Sequence, residues 1–524
     1  MCRSAVRSLA RGLVTACTAA LLLAAPVPAA TAAPTCDGTT TAGSDVNGDG
    51  YGDVVVADPD ATVGGRAKAG VVHVRYGSER GEGVGGGSMM LRQGSTGVGQ
   101  VAETNDRFGS VLATGFVDGD ACLDLIIGVP GENLTGVNAT SQADAGLVHV
   151  VFGAVGGPGQ GARGLPLWIG GSGIAGNPTA GDRFGAALAI QDRDDDPVHD
   201  AVIAVGAPGR TVGSASGAGA VALVNVDATG SPVNSRTITQ ASPGMDGAAE
   251  AGDAMGSALA WALTDSTCQN GTCWDLAIGI PGENSAAGAV QTVSNAGAGT
   301  TTYTDRVWTQ NTAGVAGAAE AGDRFGAALS FAMRSQTGYR YLAVGVPGED
   351  VGSARNGGAA HLFAYGGALT AANDSIICQD TPGVDGAAET GDLFGSSVLV
   401  TDYWDSVFRI GLVVGAPYED LGSAKDAGAV TAFELSEYGI IRDYGVHQGT
   451  TGIPGAVQAG EHFGAVLRNG GGIGDTLLVG VPDDVGCPRG LVLSVPWSLI
   501  TGFYALSATA WTASTGTRFG AAIA

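Results

Sequence analysis

Three kinds of short apolar segment alternate with glycine-rich turns along the chain, and each has the length of a β-strand. The first kind follows Phe-Gly, or once Met-Gly, and is rich in small residues; its copies begin at Phe108, Phe184, Met255, Phe325, Phe394, Phe463 and Phe519. The second kind is apolar at nearly every position and ends at Pro59, Pro130, Pro208, Pro281, Pro347, Pro417 and Pro482. The third kind follows a glycine and alternates more, with copies that begin at Gly70, Gly146, Gly219, Gly288, Gly358, Gly428 and Gly490. Each pattern therefore occurs seven times.

A unit of three or four strands that recurs about every 70 residues is typical of one β-propeller blade. The second segment predicts a strand that is covered on both faces, because it lacks polar positions. The third segment predicts a less central strand. The small residues after Phe-Gly indicate a strand near the axis, where neighbouring sheets converge and leave room only for Gly and Ala.

The two ends of the chain complete each other. The first unit has the second and third segments but no Phe-Gly segment before them, and residues 518–524 are a Phe-Gly segment with nothing after it. A ring that is closed by pairing the two chain ends needs this offset, whereas an open solenoid would carry capping repeats. We therefore predict an all-β protein, a seven-bladed β-propeller over residues 45–524 that is closed by pairing of the C-terminal strand near 518–524 with the N-terminal blade.

The combination of Phe184-Gly185 with Gly206-Ala207-Pro208 resembles the FG-GAP repeat. Such repeats build the seven-bladed propellers of integrin α-subunit N-termini and of many exported bacterial proteins. The resemblance covers roughly residues 45–524. It implies a single propeller domain that acts as a binding or adhesion module.

The N-terminus has the features of a secretory signal peptide. Arg3, Arg7 and Arg11 precede an apolar run over 13–30, and Ala30-Thr31-Ala32 is a small-x-small cleavage site. We assign 1–32 to the signal peptide and 33–44 to a short linker. No later stretch reaches about 18 uninterrupted apolar residues, so we predict a secreted, extracellular protein without a transmembrane anchor.

Six cysteines follow the predicted cleavage site, and an even number in an exported chain favours disulfides. They are Cys36, Cys122, Cys268, Cys273, Cys378 and Cys487. Six cysteines allow about 15 connectivities, which the sequence cannot resolve. Proximity in the sequence makes Cys268–Cys273 the best-supported pair.

The charge balance limits the class of partner. The chain has 50 Asp and Glu against 25 Lys and Arg, which gives a formal net charge of −25. Such a surface repels nucleic acid and anionic lipid and makes divalent cations plausible ligands. We expect a monomer that binds neither nucleic acid nor a membrane.

The FG-GAP resemblance also implies calcium loops between the first and second strands of some blades, as structural sites for one or two Ca²⁺ ions. Hard oxygen ligands at alternate positions and one backbone carbonyl form such a loop. In the first loop the ligands implied are Asp45, Asn47, Asp49, the carbonyl of Tyr51, and Asp53. In the second they are Asp192, Asp194, Asp196, the carbonyl of Val198, and Asp200, although Pro197 replaces the turn glycine. The alternative is that both are solvated hairpin turns, which Asp, Asn and Gly also favour.

The corresponding loops of two other blades depart from this pattern. In 116–124 Phe116 replaces the first ligand and Ala121 replaces the glycine, so this loop is expected to be empty or to bind weakly. In the fourth blade Cys268 and Cys273 occupy the equivalent stretch, and a disulfide there would tighten the loop in place of an ion.

Two further sets of residues recur at equivalent positions. Three glutamates recur in the linkers that precede Phe-Gly or Met-Gly: Glu250, Glu320 and Glu389. These linkers lie on one rim of the ring, and that rim resembles the ligand-binding surface of integrins. We expect these glutamates to form a repeated turn by accepting hydrogen bonds from backbone amides. His73, His149 and His361 share one position of the third segment, and we expect them to point around a ring rather than at one another.

Motifs for catalysis are missing: no Gly-x-Ser-x-Gly, His-Glu-x-x-His or P-loop sequence occurs. This favours a binding or adhesion module for an extracellular protein or polysaccharide over an enzyme. The alternative is a secreted hydrolase with its active site at the axial channel.

Overall fold

The computed structural model describes residues 36, 44–135, 140–192, 201–262, 275–294, 296, 304–334, 338–403, 409–436, 439–470, 476–485, 490–501, 508–513 and 517–524. The predicted signal peptide over 1–32 lies outside the described residues, as does the predicted linker apart from residues 36 and 44.

The described part of the chain forms seven four-stranded antiparallel sheets, the blades of a β-propeller. From the inner to the outer strand, blade 1 contains Ala522–Ile523, Val54–Asp58, Val71–Tyr76 and Gly87–Leu91. Blade 2 contains Val111–Gly115, Asp124–Val129, Leu147–Val151 and Gly164–Leu167. Blade 3 contains Ala187–Asp192, Ala201–Ala207, Ala220–Val226 and Pro232–Ile238.

The other four blades repeat this order of strands. Blade 4 contains Ala258–Ala262, Asp275–Ile280, Ala289–Ser294 and Thr304–Trp308. Blade 5 contains Ala328–Arg334, Tyr339–Val346, Ala359–Tyr365 and Asp374–Ile377. Blade 6 contains Ser397–Tyr403, Arg409–Ala416, Ala429–Ser436 and Gly439–Val446. Blade 7 contains Val466–Asn469, Thr476–Val481, Leu491–Pro496 and Thr509–Trp511.

A few short elements lie outside the blades. Leu134–Thr135 and Ser141–Gln142 pair in a small hairpin. Trp497–Ile500 forms a single helical turn, Ala371–Asn373 forms a 3₁₀ turn, and Glu283–Ala286 forms a tight turn in which Asn284, Ser285 and Ala286 have left-handed φ values. Across the described residues, no helix has the length and apolar character that a membrane span requires.

The inner strands, which follow the Phe-Gly or Met-Gly dipeptides, form a closed circle around the axis. Each inner strand contacts the inner strand of the next blade, and that of blade 7 contacts that of blade 1. The small side chains at these positions allow this close approach. The predicted all-β, seven-bladed propeller is therefore confirmed.

The chain ends close the ring in blade 1. Val56 pairs with Ile523 in an antiparallel register. The amide of Val55 donates to the carbonyl of Ala524 at 3.1 Å, and the amide of Ala524 donates back at 3.0 Å. The buried carboxylate of Asp58 accepts the amides of Thr517 at 2.6 Å and Arg518 at 3.1 Å. The C-terminal strand thus supplies the inner strand that the first unit lacks.

The glycine that opens each third segment lies against the next blade. At the closure between blades 7 and 1, a Cβ atom on Gly490 would lie 2.2 Å from the carbonyl oxygen of Phe519. Only glycine permits this backbone approach. The same contact joins the other blades, for example Gly146 to Phe184.

Burial of the strands follows the predicted pattern in part. The second strands are buried along their length, as in Asp124–Val129. The third strands were expected to alternate, but Leu147–Val151 and Ala220–Val226 are buried at every position. The reason is that the sheets of adjacent blades cover both faces of the third strand. Exposure is concentrated in the outer strands, such as Gly87–Leu91.

Strand direction places the polar turns at two opposite ends of the ring. Because the strands are antiparallel, the turn that opens each inner strand lies at the same end as the connection from the second to the third strand. We call this end the entry rim. The connection from the first to the second strand lies at the other end, which we call the loop rim. The predicted calcium loops belong to the loop rim.

Candidate functional site

The first predicted calcium loop, 45–53, folds around the buried carboxylate of Asp45. One oxygen of Asp45 accepts the amides of Asn47, Gly48 and Asp49 at 3.2, 2.7 and 3.2 Å, and the other accepts Gly50 at 2.7 Å. Four backbone donors therefore hold this side chain at the centre of the loop. Its position corresponds to the first ligand of a calcium loop.

The two predicted ligands in the middle of this loop, Asn47 and Asp49, are hydrogen-bonded to each other. The side-chain amide of Asn47 donates to Asp49 at 3.0 Å, and the oxygen of the same amide accepts the Asp49 backbone amide at 2.8 Å. Asp49 in turn accepts the Tyr51 amide at 3.0 Å. The Tyr51 side chain is 41% exposed. The loop is compact, and its polar atoms are satisfied by its own backbone.

Asp53 joins the loop to the rest of blade 1. Its carboxylate accepts the amide of Val46 at 2.9 Å and that of Gly77, at the end of the third strand, at 2.8 Å. Burial raises the pKa of Asp53 to about 7, the two amides lower it, and Asp45 and Asp49 raise it further. A bound cation would favour the charged form of this carboxylate.

The second predicted calcium loop falls largely outside the described residues. Asp192 ends the inner strand of blade 3, where its backbone pairs with Ala201. Asp194, Asp196, Val198 and Asp200 lie in 193–200, which the structure does not describe. Their role as ligands stays a prediction.

The loop of blade 2, expected to be empty or weak, contains the acidic cluster that best fits a metal. Within the described part of the chain, Asp118, Asp120 and Asp124 are the group of acidic side chains whose oxygens lie within 4.8 Å of one another. Asp118 and Asp124 are buried and Asp120 is exposed. The loss of the first ligand to Phe116 therefore does not prevent the remaining carboxylates from converging.

Asp124 plays the same part in blade 2 as Asp53 does in blade 1. It accepts the amides of Val117 at 2.7 Å and Gly153 at 2.6 Å. Burial raises the pKa of Asp124 to about 7, the two amides lower it, and Asp118 and Asp120 raise it further. In both described loops the last aspartate therefore connects the loop to the end of the third strand by hydrogen bonds, and this connection does not require an ion.

Arg163 supplies a positive charge to the blade-2 cluster. Its guanidinium donates to Asp118 and to the carbonyl of Thr229, and it lies 4.0 Å above the ring of Phe152. This arginine comes from the segment before the outer strand and belongs to no motif, so the contact could not be predicted from the sequence. An incoming cation would compete with Arg163 for Asp118.

Both described loops fit a hard divalent cation in their donor chemistry. Every side-chain donor is a carboxylate or amide oxygen, and Ca²⁺ prefers six to eight such ligands. Asp118, Asp120 and Asp124 would hold the ion in blade 2, where their oxygens lie together. Among the described residues the carboxylates of Asp45, Asp49 and Asp53 in blade 1 do not form such a group, and their role as ligands stays a prediction. The ion would supply local positive charge and tighten the loop.

A disulfide joins the N-terminal segment to the loop of blade 2. Cys36 and Cys122 are bonded, with their Cα atoms 5.0 Å apart and a separation of 86 positions in the sequence. Cys36 lies against Gly48 of the first loop, and Cys122 belongs to the second loop. Cys378 is a free, half-buried thiol. The predicted pair Cys268–Cys273 and the remaining Cys487 lie outside the described residues.

We expected the side chains of the entry-rim glutamates to accept hydrogen bonds from backbone amides, and the structure shows a different arrangement. Instead, the backbone amides of Glu250, Glu320 and Glu389 each donate to the aspartate three residues later, at 2.5 Å. That aspartate belongs to the turn before Phe-Gly or Met-Gly and is buried, whereas the glutamates lie nearer the surface. A short aspartate in a buried turn makes this bond with less side-chain freedom to lose.

Buried polar pairs recur at the junctions between blades. A glutamine that follows one outer strand donates to an acidic side chain of the next blade, and the pairs are Gln93–Glu132, Gln240–Glu283, Gln310–Glu349, Gln379–Glu419 and Gln448–Asp484. Burial raises the pKa of Glu132 to about 8, and the charges of Asp106 and Glu103 add to this. Glu132 and Asp484 are buried and the other three carboxyl groups are half-buried, and all five contribute to the contacts between blades.

The three histidines lie apart, as their repeat positions indicate. Each packs against the phenylalanine of its own blade: His73 against Phe519 at 5.4 Å, His149 against Phe108 at 5.8 Å, and His361 against Phe325 at 5.2 Å between ring centroids. His361 also contacts the buried carboxylate of Asp374 at 2.9 Å. They contribute to three separate cores rather than to one site.

Two surface clefts differ in character. The first, of about 490 Å³, lies on the entry rim, where Arg107 and Arg183 face it. The second, of about 370 Å³, lies on the loop rim between blades 1 and 7 and is lined by Tyr51, Arg80 and Glu82 among others. Both volumes lie in the range of small-molecule sites.

Comparisons with known proteins give a distant likeness. No protein-family model matches the chain, and no curated protein matches it. Among solved structures, it is similar to a member of the DUF4221 family from Bacteroides vulgatus, at 11% identity and a TM-score of 0.36, over 78% of this chain and 94% of that chain. The FG-GAP resemblance therefore stays a prediction from the sequence.

Calcium is expected to raise the melting temperature modestly. Extracellular calcium modules bind at about 10⁻⁴–10⁻³ M, so roughly millimolar calcium adds about 0.4–1.4 kcal/mol for each occupied loop. Melting curves in EDTA, in calcium and in magnesium would measure this effect. Asp49→Asn and Asp120→Asn should each reduce the calcium-dependent part of the shift. Identical curves in calcium and in EDTA would contradict calcium binding at both described loops.

Proposed function

We propose that the protein is a secreted, calcium-binding β-propeller that acts as an extracellular binding or adhesion module for a protein or polysaccharide. The observation that carries this proposal is the closed ring of seven blades with polar, exposed turns at its entry rim. A rigid scaffold that presents many turns on one face suits recognition of a ligand.

The disulfide between Cys36 and Cys122 supports a location outside the cytoplasm, because such bonds form and persist in oxidising compartments. The signal-peptide features of residues 1–32 point the same way. The Asp118, Asp120 and Asp124 cluster supports the calcium part of the proposal.

The positions of the acidic groups favour binding over hydrolysis. Glu132, Asp392 and Glu461, whose pKa values are raised mainly by burial, are hydrogen-bonded inside the blade junctions. None of them lines the entry-rim cleft. A general acid must reach its substrate, and these groups line neither the entry-rim cleft nor the loop-rim cleft.

A glycan and extracellular-matrix array, probed with the purified protein in calcium and in EDTA, tests the proposal. We expect selective binding to a small set of ligands, weaker in EDTA. A blank array in both conditions, or turnover of an arrayed glycan, would contradict a binding module. Asp49→Asn/Asp120→Asn serves as the matched variant, because it should reproduce the effect of EDTA in calcium buffer.

A further inference from the structure

The residue before the Phe or Met of each repeat forms a ring around one end of the propeller axis. These seven residues are Arg107, Arg183, Ala254, Arg324, Leu393, His462 and Arg518. Six of them, all except Arg518, have left-handed φ values between 54° and 62°. Each immediately precedes the Phe-Gly or Met-Gly dipeptide that opens an inner strand, so the turn is fixed close to the axis.

This ring is basic in an otherwise acidic protein. Arginine occupies four of the seven positions, although the chain has only half as many basic as acidic residues. Arg518, Arg107 and Arg183 open the inner strands of blades 1, 2 and 3, which are consecutive. Positive charge is thus concentrated on one arc of the entry rim.

The arginines of this arc differ in how far they are neutralised. Arg518 makes a two-pronged contact with Asp483, with both distances 2.9 Å. Arg107 is 3.5 Å from Asp60 and about half exposed. Arg183 is exposed and has no ion pair among the described residues. The least neutralised guanidinium groups of this arc are therefore those of Arg107 and Arg183, in blades 2 and 3.

The entry-rim cleft lies at that point. Its volume is about 490 Å³, and Arg107 and Arg183 line it together with Asn105, Ser110 and Asp144. The backbone of both turns is fixed, because the Arg107 amide donates to the carbonyl of Lys68 at 2.9 Å and the Arg183 amide donates to the carbonyl of Asp144 at 3.0 Å. The cleft is a polar site whose lining contains two arginines on fixed turns.

The lining chemistry selects the class of ligand. Two guanidinium groups suit a carboxylate, which they bind through charge-assisted hydrogen bonds. Asn105, Ser110 and Asp144 offer donors and acceptors that suit sugar hydroxyl groups. Asp144 would repel a ligand with dense sulfate or phosphate, and the lining offers little apolar surface for a peptide side chain.

We propose that the cleft between Arg107 and Arg183 binds a glycan that contains uronic acid, with the sugar carboxylate between the two guanidinium groups. The inference rests on the proposed binding function and deepens it by naming the class of polysaccharide. The entry rim, rather than the loop rim, is then the ligand-binding face.

Isothermal titration of the full-length secreted protein with trigalacturonate, in calcium buffer, tests the proposal. We expect the wild type to bind the acid at least about tenfold more tightly than its methyl ester, because esterification removes the charge. Arg107→Gln/Arg183→Gln should weaken binding of the acid by a factor of about ten or more. Arg324→Gln is the matched control, because Arg324 occupies the same turn in blade 5 and does not line the cleft.

Three outcomes would overturn the inference: equal binding of acid and ester, unchanged binding by the double variant, or tighter binding of a sulfated glycan or an acidic peptide. Circular dichroism melts of each variant check that the exposed substitutions leave the fold unchanged. If the wild type binds other array ligands but no uronate, the uronate proposal is wrong and the proposed binding function still stands. A blank array would end the proposed function as well.

Discussion

Removal of residues 517–524 is expected to lower the melting temperature by about 10 °C or more, or to abolish cooperative unfolding altogether. This segment supplies the inner strand of blade 1. It buries Phe519 and Ile523, each 1% exposed, against Val54 and Val56. Each of these two side chains contributes about 1.5–3 kcal/mol by burial, and a typical domain has only about 5–15 kcal/mol in total.

The truncation also leaves polar groups unsatisfied. Asp58 is fully buried and loses the amides of Thr517 and Arg518 that it accepts. Val55 loses both of its backbone hydrogen bonds to Ala524. Buried polar groups without partners cost about 1–3 kcal/mol each.

Arg518→Gln is the control for this experiment. It removes the ion pair with Asp483, in which both side chains are partly exposed, but it keeps the strand. Such pairs contribute about 0–1 kcal/mol, so the variant should melt close to the wild type. Differential scanning calorimetry of the three proteins measures the difference. A truncated protein that melts within about 2 °C of the wild type would contradict ring closure by this strand.

The protein is expected to be more stable near pH 5 than near pH 8, by a difference in melting temperature of about 5 °C or more. The cause is the set of carboxyl groups at the blade junctions. Burial raises the pKa of Glu132 to about 8, of Asp392 and Glu461 to about 7, and of Asp106 and Asp323 to about 6. Neighbouring carboxylates at the same junctions add to these shifts.

The direction follows from proton linkage. These folded-state pKa values lie above the unfolded values near 4, so the folded protein binds more protons between about pH 4 and pH 8. Stability is then greatest at the acidic end of this window and falls as pH rises through the folded pKa values. Carboxyl groups with lowered pKa values would give the opposite trend.

Glu132→Gln isolates one junction. Gln93 donates to Glu132 at 2.5 Å, and a glutamine oxygen can accept this bond in place of the carboxylate. The variant should therefore gain stability at pH 8 and show a smaller difference between the two pH values. Glu79→Gln, which removes an exposed carboxylate, should leave the difference unchanged. Melting temperatures that rise from pH 5 to pH 8 would contradict the assignment.

Repetition made the fold predictable from the sequence. Each Phe-Gly or Met-Gly segment forms an inner strand and each proline-terminated segment forms a second strand, because only glycine and other small residues fit where backbones approach closely. Gly490 illustrates this, since its contact with Phe519 leaves no room for a side chain. The offset of the repeats at the two ends predicted that the C-terminal strand near 518–524 pairs with the N-terminal blade, and the pairing of Val56 with Ile523 confirms it.

The candidate sites were less predictable, because they depend on contacts between distant residues. Cys36 and Cys122 are 86 residues apart, and their pairing depends on how the N-terminal segment returns to blade 2. Arg163 reaches Asp118 from 45 residues away. Loop 116–124 matches the calcium-loop pattern at few positions, so the sequence predicted an empty or weak site there. The folded loop nevertheless brings Asp118, Asp120 and Asp124 together. The short aspartates, rather than Glu250 and its equivalents, cap the entry-rim turns.

Disulfide trapping across the ring closure tests the central claim most directly. Val56 and Ile523 lie opposite each other, next to the hydrogen-bonded pair of Val55 and Ala524, where Cα atoms are about 4.5 Å apart and a disulfide is geometrically allowed. Val56→Cys/Ile523→Cys should therefore form a disulfide that peptide mapping by mass spectrometry detects without reduction. Val56→Cys/Ala522→Cys should not, because residue 522 points to the other face of the sheet. A bond in the second variant, or none in the first, would contradict a propeller closed by its C-terminal strand.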